Sequence, residues 1–312
     1  MLQSVPLREK FVDPDWTASG EARARVAPAG LKTLWFNTGT LCNIACRGCY
    51  IESTPRNDRL AYLSYEEART FMAEAARDHP ALRDIGFTGG EPFMNPDIIA
   101  MLMDSLGAGY RTLVLTNAMK PMRRHEPALL ELKHRYSHQL SVRVSLDHFT
   151  EAKHEAIRGR RSWRPALEGL RWLSRNGFDL AVASRMLWPE DEAAMRSGFG
   201  ALFAENAIAI EAWDPHRLVL FPEMDDSAAV PEVTERCWAI LNKNPDQMMC
   251  AHSRMVIKRA GAAAPAVVSC TLHPYDDRFE MGVSLADANR PVSLNHPRCA
   301  KFCVLGGASC SA

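Results

Sequence analysis

Six short apolar segments, each partly β-branched or aromatic, alternate with helix signals between Thr33 and Phe221. They are Thr33–Thr38, Asp84–Thr88, Thr112–Thr116, Ser141–Leu146, Asp179–Ser184 and Arg217–Phe221. Such runs read as strands buried on both faces, and strand–helix alternation is resolved by packing helices against a parallel sheet. Ser64 and Glu67 form a capping box opening a helix to about Arg77. Asn95-Pro96 reads as an N-cap with proline at the first helical position. Pro165 opens Ala166–Asn176, closed by Gly177, and a further helix spans Glu190 to about Ala204. The expected fold is α/β, a partial (β/α)6 TIM-like barrel over residues 33–222.

Flanking it are an irregular lead-in, residues 1–32, and a small cysteine-rich part, residues 223–312. The latter reads as a helix at Glu232–Asn242, then β-like pieces at Met255–Lys258 and Ala266–Ser269.

In barrels of this kind chemistry collects in the loops after the strands. Directly after the first strand stand Cys42, Cys46 and Cys49. Three thiols at this spacing can take three corners of an iron–sulfur cube and leave one iron open. Two other readings stand beside it. Positions i, i+4 and i+7 share a helix face, which allows three core cysteines, although Asn43, Arg47 and Gly48 argue against a helix. A zinc site would want a fourth local ligand, and no histidine lies between Cys49 and His79.

Bulk properties narrow the class. With 37 basic and 37 acidic residues the formal net charge is zero, unlike the basic surplus of a nucleic-acid binder. No apolar run has the length of a membrane span or the form of a signal peptide, so the expected location is the cytoplasm. There thiols stay reduced, and nine cysteines point to metal ligation or catalysis rather than disulfides.

The C-x3-C-x2-C triad after a first strand resembles the signature of the radical S-adenosylmethionine enzymes. So do Gly89-Gly90-Glu91-Pro92 after the second strand, Thr116-Asn117 after the third and Ser145-Leu146-Asp147 after the fourth. His154 to Gly159 continues the likeness to the branch that carries extra clusters. The resemblance implies a [4Fe–4S] cluster on Cys42, Cys46 and Cys49 whose open iron chelates S-adenosylmethionine. It assigns Gly89, Gly90, Glu91, Pro92, Thr116 and Asn117 to the cofactor's surroundings. Ser145 and Arg158 fall to its carboxylate, with Arg185 as a further candidate. Asp147 is assigned to a ribose or substrate contact, against the plain alternative of a helix N-terminal charge. Gly-Gly after a strand is by itself only a turn signal. The family's aromatic residue before the third cysteine is replaced here by Gly48, with Tyr50 one place after that cysteine.

The tail carries Cys250, Cys270, Cys299, Cys303 and Cys310. It resembles the twitch or shortened SPASM domains, which implies one auxiliary [4Fe–4S] cluster. The expected ligands are Cys250, Cys270, Cys299 and Cys303, with Cys310 able to replace one of them or to serve as a hydrogen donor. A four-cysteine zinc site has the same spacing. Cys237 reads as a core thiol.

The implied function is reductive cleavage of S-adenosylmethionine followed by hydrogen abstraction from a substrate, with a flavodoxin- or ferredoxin-type reductant. The expected substrate is a peptide or protein side chain. A small molecule (sugar, aminocyclitol or nucleoside) is the alternative, because residues 1–32 are too few for a separate leader-binding domain. A non-catalytic zinc- or cluster-binding protein is the reading from another class.

Overall fold

The computed structural model describes residues 9–136, 138–223 and 229–307. After a two-residue strand β1 (Arg25–Val26) come β2 (Thr33–Asn37), β3 (Asp84–Thr88), β4 (Arg111–Thr116), β5 (Leu140–Ser145), β6 (Asp179–Met186) and β7 (Leu218–Pro222). All six pair in parallel and in sequence order. The tail adds β8 (Ser253–Ile257), β9 (Ala266–Val268) and β10 (Val292–Ser293). The sheet runs β7-β6-β5-β4-β3-β2-β8-β9, so the six-stranded partial barrel is extended at β2 by the first tail strand. β8 lies parallel to β2 and turns back as an antiparallel hairpin with β9.

The helices α1 (Tyr65–Asp78), α2 (Ile98–Gly107), α3 (Lys120–Arg123), α4 (Glu126–Tyr136), α5 (Glu151–Arg158), α6 (Trp163–Arg175) and α7 (Glu192–Glu205) fill the crossovers. Outward strand residues such as Leu34, Phe36, Val114, Val142, Val144 and Val182 pack with helix residues in one core. Their alternate neighbours face the barrel interior, which is the period of two that a strand dictates. The interior itself is partly apolar: Trp35 lies over Gly86, where any Cβ would sit 2.4 Å from the indole.

Most boundaries follow the local chemistry. The Ser64–Glu67 capping box is formed, and Glu67 also pairs with Lys258 beyond β8, tying α1 to the tail. Gly177 takes φ +66° after α6, as a helix-ending glycine should. Three expectations need correction. Asn95 caps no long helix. Its amide donates to the carbonyls of Thr38 and Leu63, and α2 starts at Ile98 after Asp97. α6 begins at Trp163, two residues before Pro165. The helix expected at Glu232–Asn242 shrinks to α8 (Cys237–Ile240). The reason is that Glu232 is already committed, accepting from the amides of Phe11 and Ala18 and from Arg23. Those bonds hold the segment extended against the lead-in, which is itself joined to the tail through the β1–β10 pair.

The chain finishes its described part with α9 (Met249–His252) before β8 and a wide, π-type helical turn at Cys299–Leu305. Cys310 lies outside the described residues. Among the described residues no helix is long and apolar enough to cross a membrane.

Candidate functional site

The first cysteine segment is stitched onto the loop after β3. The amides of Gly90 and Glu91 donate to the carbonyls of Gly39 and Leu41, at 2.8 and 3.1 Å. A Cβ on Gly89 would stand 2.5 Å from the Gly39 carbonyl, and one on Gly90 2.2 Å from that of Leu41. Both glycines are therefore required by backbone against backbone, a demand beyond the turn and the place beside the cofactor expected from sequence. The consequence is that Cys42 is delivered to the carboxyl end of the sheet, buried, with its amide on the Thr54 carbonyl.

A single cavity opens there, enclosing about 1150 Å³ out to its mouth. Cys42, Cys46, Cys49 and Tyr50 line it together with Gly89, Gly90, Thr116, Asn117, Ser145, Asp147, Arg158 and Arg185. Residues from five successive strand ends and from the loop after β2 thus meet in one place. Glu91 and Pro92 do not reach this wall.

Glu91 is fully buried behind it. Its carboxylate accepts from the Thr116 hydroxyl (2.8 Å), the Asn117 amide (2.8 Å) and the Phe93 amide (3.2 Å). Burial pushes its pKa up to about 7, against the pull of those donors. Glu91 ties the loops after β3 and β4 together. Asn117 passes this order on, its side-chain amide donating to Asn43 inside the cysteine segment at 2.9 Å.

Asp147 is the electrostatic hub. It is 1% exposed and accepts from Arg158 Nε at 2.8 Å and from Arg185 through Nε and Nη2 at 2.9 and 3.2 Å. Burial would raise its pKa, but Arg158 and Arg185 hold it down at about 2. Burial raises the Cys46 thiol, with Arg158 pulling the other way, and pushes Cys42 up to about 12. His154, in the first turn of α5, is a buried neutral imidazole edge-on to Trp163 and takes no place in the wall.

A second, smaller cavity lies in the tail. Cys250, Cys270, Cys299 and Cys303 all line it, joined by Met248, Met249, His273 and a few apolar residues. Cys299 and Cys303 come from the π-type turn, Cys250 from α9 and Cys270 from just after β9. Burial pushes Cys250 to about 11 and Cys299 to about 12. His273 was not anticipated from sequence. Its Nε2 stands 3.6 Å from Cys299 Sγ, and its ring stacks on Phe279. The Cys270-x2-His273 spacing was the available signal. Leu272 lines both cavities, so they are neighbours across a thin wall that also includes Tyr50 and Phe302.

The described thiols form no disulfides. Among the described residues no three His, Cys, Asp or Glu side chains crowd closely enough to hold a single metal ion. Thiolates are the usual protein ligands of iron–sulfur clusters, so by their chemistry the two donor sets fit such a group.

The family model described as the Radical SAM superfamily matches residues 36–195. The antilisterial bacteriocin subtilosin biosynthesis protein AlbA of Bacillus subtilis (strain 168) is 32% identical over 143 residues, 46% of this chain and 30% of that protein. Among solved structures, Streptococcus suis SuiB bound to S-adenosylmethionine superposes with a TM-score of 0.59 at 11% identity, covering 81% of this chain and 63% of that one. SuiB has also been solved bound to its precursor peptide SuiA. The protein anSMEcpe with bound AdoMet gives a TM-score of 0.58 at 12% identity, over 83% of this chain and 77% of that one. The structural likenesses are likenesses of fold, and the chain spans less than a third of AlbA and under two thirds of SuiB.

Proposed function

Because the chain belongs to the radical S-adenosylmethionine superfamily, we propose that it is a peptide-modifying member whose two cysteine sets hold two different iron–sulfur clusters. Cys42, Cys46 and Cys49 hold the cluster that works with S-adenosylmethionine, and Cys250, Cys270, Cys299 and Cys303 hold an auxiliary one. The barrel, residues 33–222, carries the first, and residues 223–312 carry the second. The observation that supports this most is that the three thiols share one cavity wall with Gly90, Asn117, Ser145 and Arg158. When bound, the cluster supplies the electron that splits S-adenosylmethionine reductively, so that the cofactor's 5′ carbon can take a hydrogen atom from the substrate.

The chain's own residues do the rest. Arg158 offers a guanidinium to a carboxylate, and Ser145 a hydroxyl beside it. Asp147 remains ionised at any physiological pH and keeps Arg158 and Arg185 oriented. Tyr50, Ile51, Phe221, Leu272 and Phe302 form an apolar side of the cavity that excludes water from the reacting centre. A peptide is favoured as substrate by the sequence match to AlbA, a bacteriocin biosynthesis protein. A flavodoxin- or ferredoxin-type protein is the matching reductant.

The test is to reconstitute the protein anaerobically with iron and sulfide. It is then supplied with S-adenosylmethionine and dithionite, and 5′-deoxyadenosine is quantified. Production of 5′-deoxyadenosine that Cys46→Ala eliminates supports the reading. Iron uptake without cleavage, or zinc retained in preference to iron, contradicts it.

A further inference from the structure

We infer that Arg185 is the positioning residue that braces the turn between Cys46 and Cys49, separately from recognition of the cofactor. The inference rests on the cluster assignment proposed above, and the observations behind it belong to the protein alone.

The three thiols of the first set are held very unequally. Cys42 is buried and anchored by the backbone bonds that weld its loop to the Gly89-Gly90 loop. Cys46 and Cys49 are half-buried, and the two residues between them, Arg47 and Gly48, are exposed. Gly48 occupies the left-handed region at φ +66°, a conformation that glycine adopts without the strain of a side chain. Two residues tether the turn to the rest of the fold. The Arg47 amide donates to the Ile157 carbonyl at the end of α5, at 2.7 Å. Arg185 Nη1 donates to the Gly48 carbonyl at 2.9 Å, and its Nη2 reaches the Arg47 carbonyl at a longer 3.5 Å.

Arg185 stands near the end of β6, four strands away from β2 in the sheet, so its bond crosses the mouth of the partial barrel. Its guanidinium is not free to swing. Nε and Nη2 both donate to the two oxygens of Asp147, a paired geometry that fixes the plane and directs Nη1 at Gly48, with Nη2 also within reach of the Arg47 carbonyl. Arg158 differs. Among the described residues it gives Asp147 a single Nε bond and donates nothing to the cysteine turn. Both arginines on this carboxylate line the cavity, but Arg185 alone of the two also holds the backbone of the cysteine turn.

The experiment compares full-length, anaerobically reconstituted wild type with Arg185→Gln, Arg185→Lys and Arg158→Gln. Three quantities are read: iron loss to excess chelator, S-adenosylmethionine affinity by equilibrium dialysis, and amide exchange over residues 46–50 in the metal-free chain. Loss of an outer partner of a metal ligand costs about 10–100-fold in metal retention, and that is the expected acceleration of first-site iron loss in Arg185→Gln. Lysine, which cannot make the paired contact, should rescue only part. Second-site iron serves as the internal reference and should leave at the wild-type rate. Arg158→Gln should do the reverse, weakening cofactor affinity while iron is retained. Faster exchange at 46–50 in metal-free Arg185→Gln supports the brace. Unchanged exchange and iron retention overturn it, as does a loss of cofactor affinity in Arg185→Gln equal to that in Arg158→Gln. If wild type takes up no iron, the cluster assignment fails, and the exchange measurement still decides the brace.

Discussion

The two cysteine sets are built on opposite plans. The first is a loop after β2 whose thiols are spread along a wide, partly open cavity among Asp147, Arg158 and Arg185. The second gathers four thiols from three short elements around a smaller cavity of about 370 Å³, its opening included, with mostly apolar neighbours. The first leaves room beside its thiols for another molecule, and charged groups to orient it. The second leaves room for little beyond what its own thiols would hold. The difference teaches that thiol count is a weaker guide to chemistry than what surrounds the thiols: on the proposed assignment, space and fixed charge go with the reacting site and enclosure with the supporting one.

The sharpest way to break this comparison is to disable each set separately. Cys46→Ala should abolish 5′-deoxyadenosine formation, whereas Cys299→Ala should keep it while lowering iron from about eight to about four per chain. Equal loss of cleavage in both variants would erase the distinction.

Next in size is Asp147→Asn, which leaves two guanidinium groups facing a neutral amide in a buried site. Breaking a buried pair this way costs about 3–5 kcal/mol, measurable by urea unfolding. The same carboxylate sets an acid limit. Its folded pKa of about 2 lies below the ordinary value of 3.8. The stabilisation is therefore complete above about pH 4 and is lost as pH falls through about 2, a difference of about 2 kcal/mol. The Asn variant should lack that step between pH 4 and 2, while the tail cavity contributes nothing to it.

Gly90→Ala forces a methyl to within 2.2 Å of the Leu41 carbonyl, and should lower stability by about 1–3 kcal/mol and loosen Cys42. Gly261→Ala is the control: nothing lies within 4 Å, and only its φ of +76° is strained. A chelator assay should show first-site iron weakened in the former and untouched in the latter. The smallest effect is at the join between the two regions. Arg298, beside Cys299, donates to the carbonyls of Leu272 and Tyr50, at 2.9 and 3.4 Å. Arg298→Met should cost about 1 kcal/mol and raise amide exchange over residues 50–57.

The same contrast explains what could be read from sequence. All six barrel strands were legible to within one or two residues, because buried parallel strands carry their β-branched and aromatic composition locally. Cys250, Cys270, Cys299 and Cys303 were legible as a set, and they do share one cavity. What failed depended on distant partners. Glu232 looked like part of a helix, and nothing local could reveal that Phe11, Ala18 and Arg23 claim its carboxylate. Glu91 sat in the right motif, yet its burial behind the wall follows from Thr116 and Asn117. The bracing contact of Arg185 on Gly48 spans 137 residues and leaves no periodic trace.

The most direct test of the central claim is low-temperature electron paramagnetic resonance of the reduced, reconstituted protein before and after adding S-adenosylmethionine. The account predicts two cluster signals, of which only the one missing in Cys46→Ala changes on addition of the cofactor. A cofactor-induced change in the signal missing in Cys299→Ala, or no change in either, would contradict it.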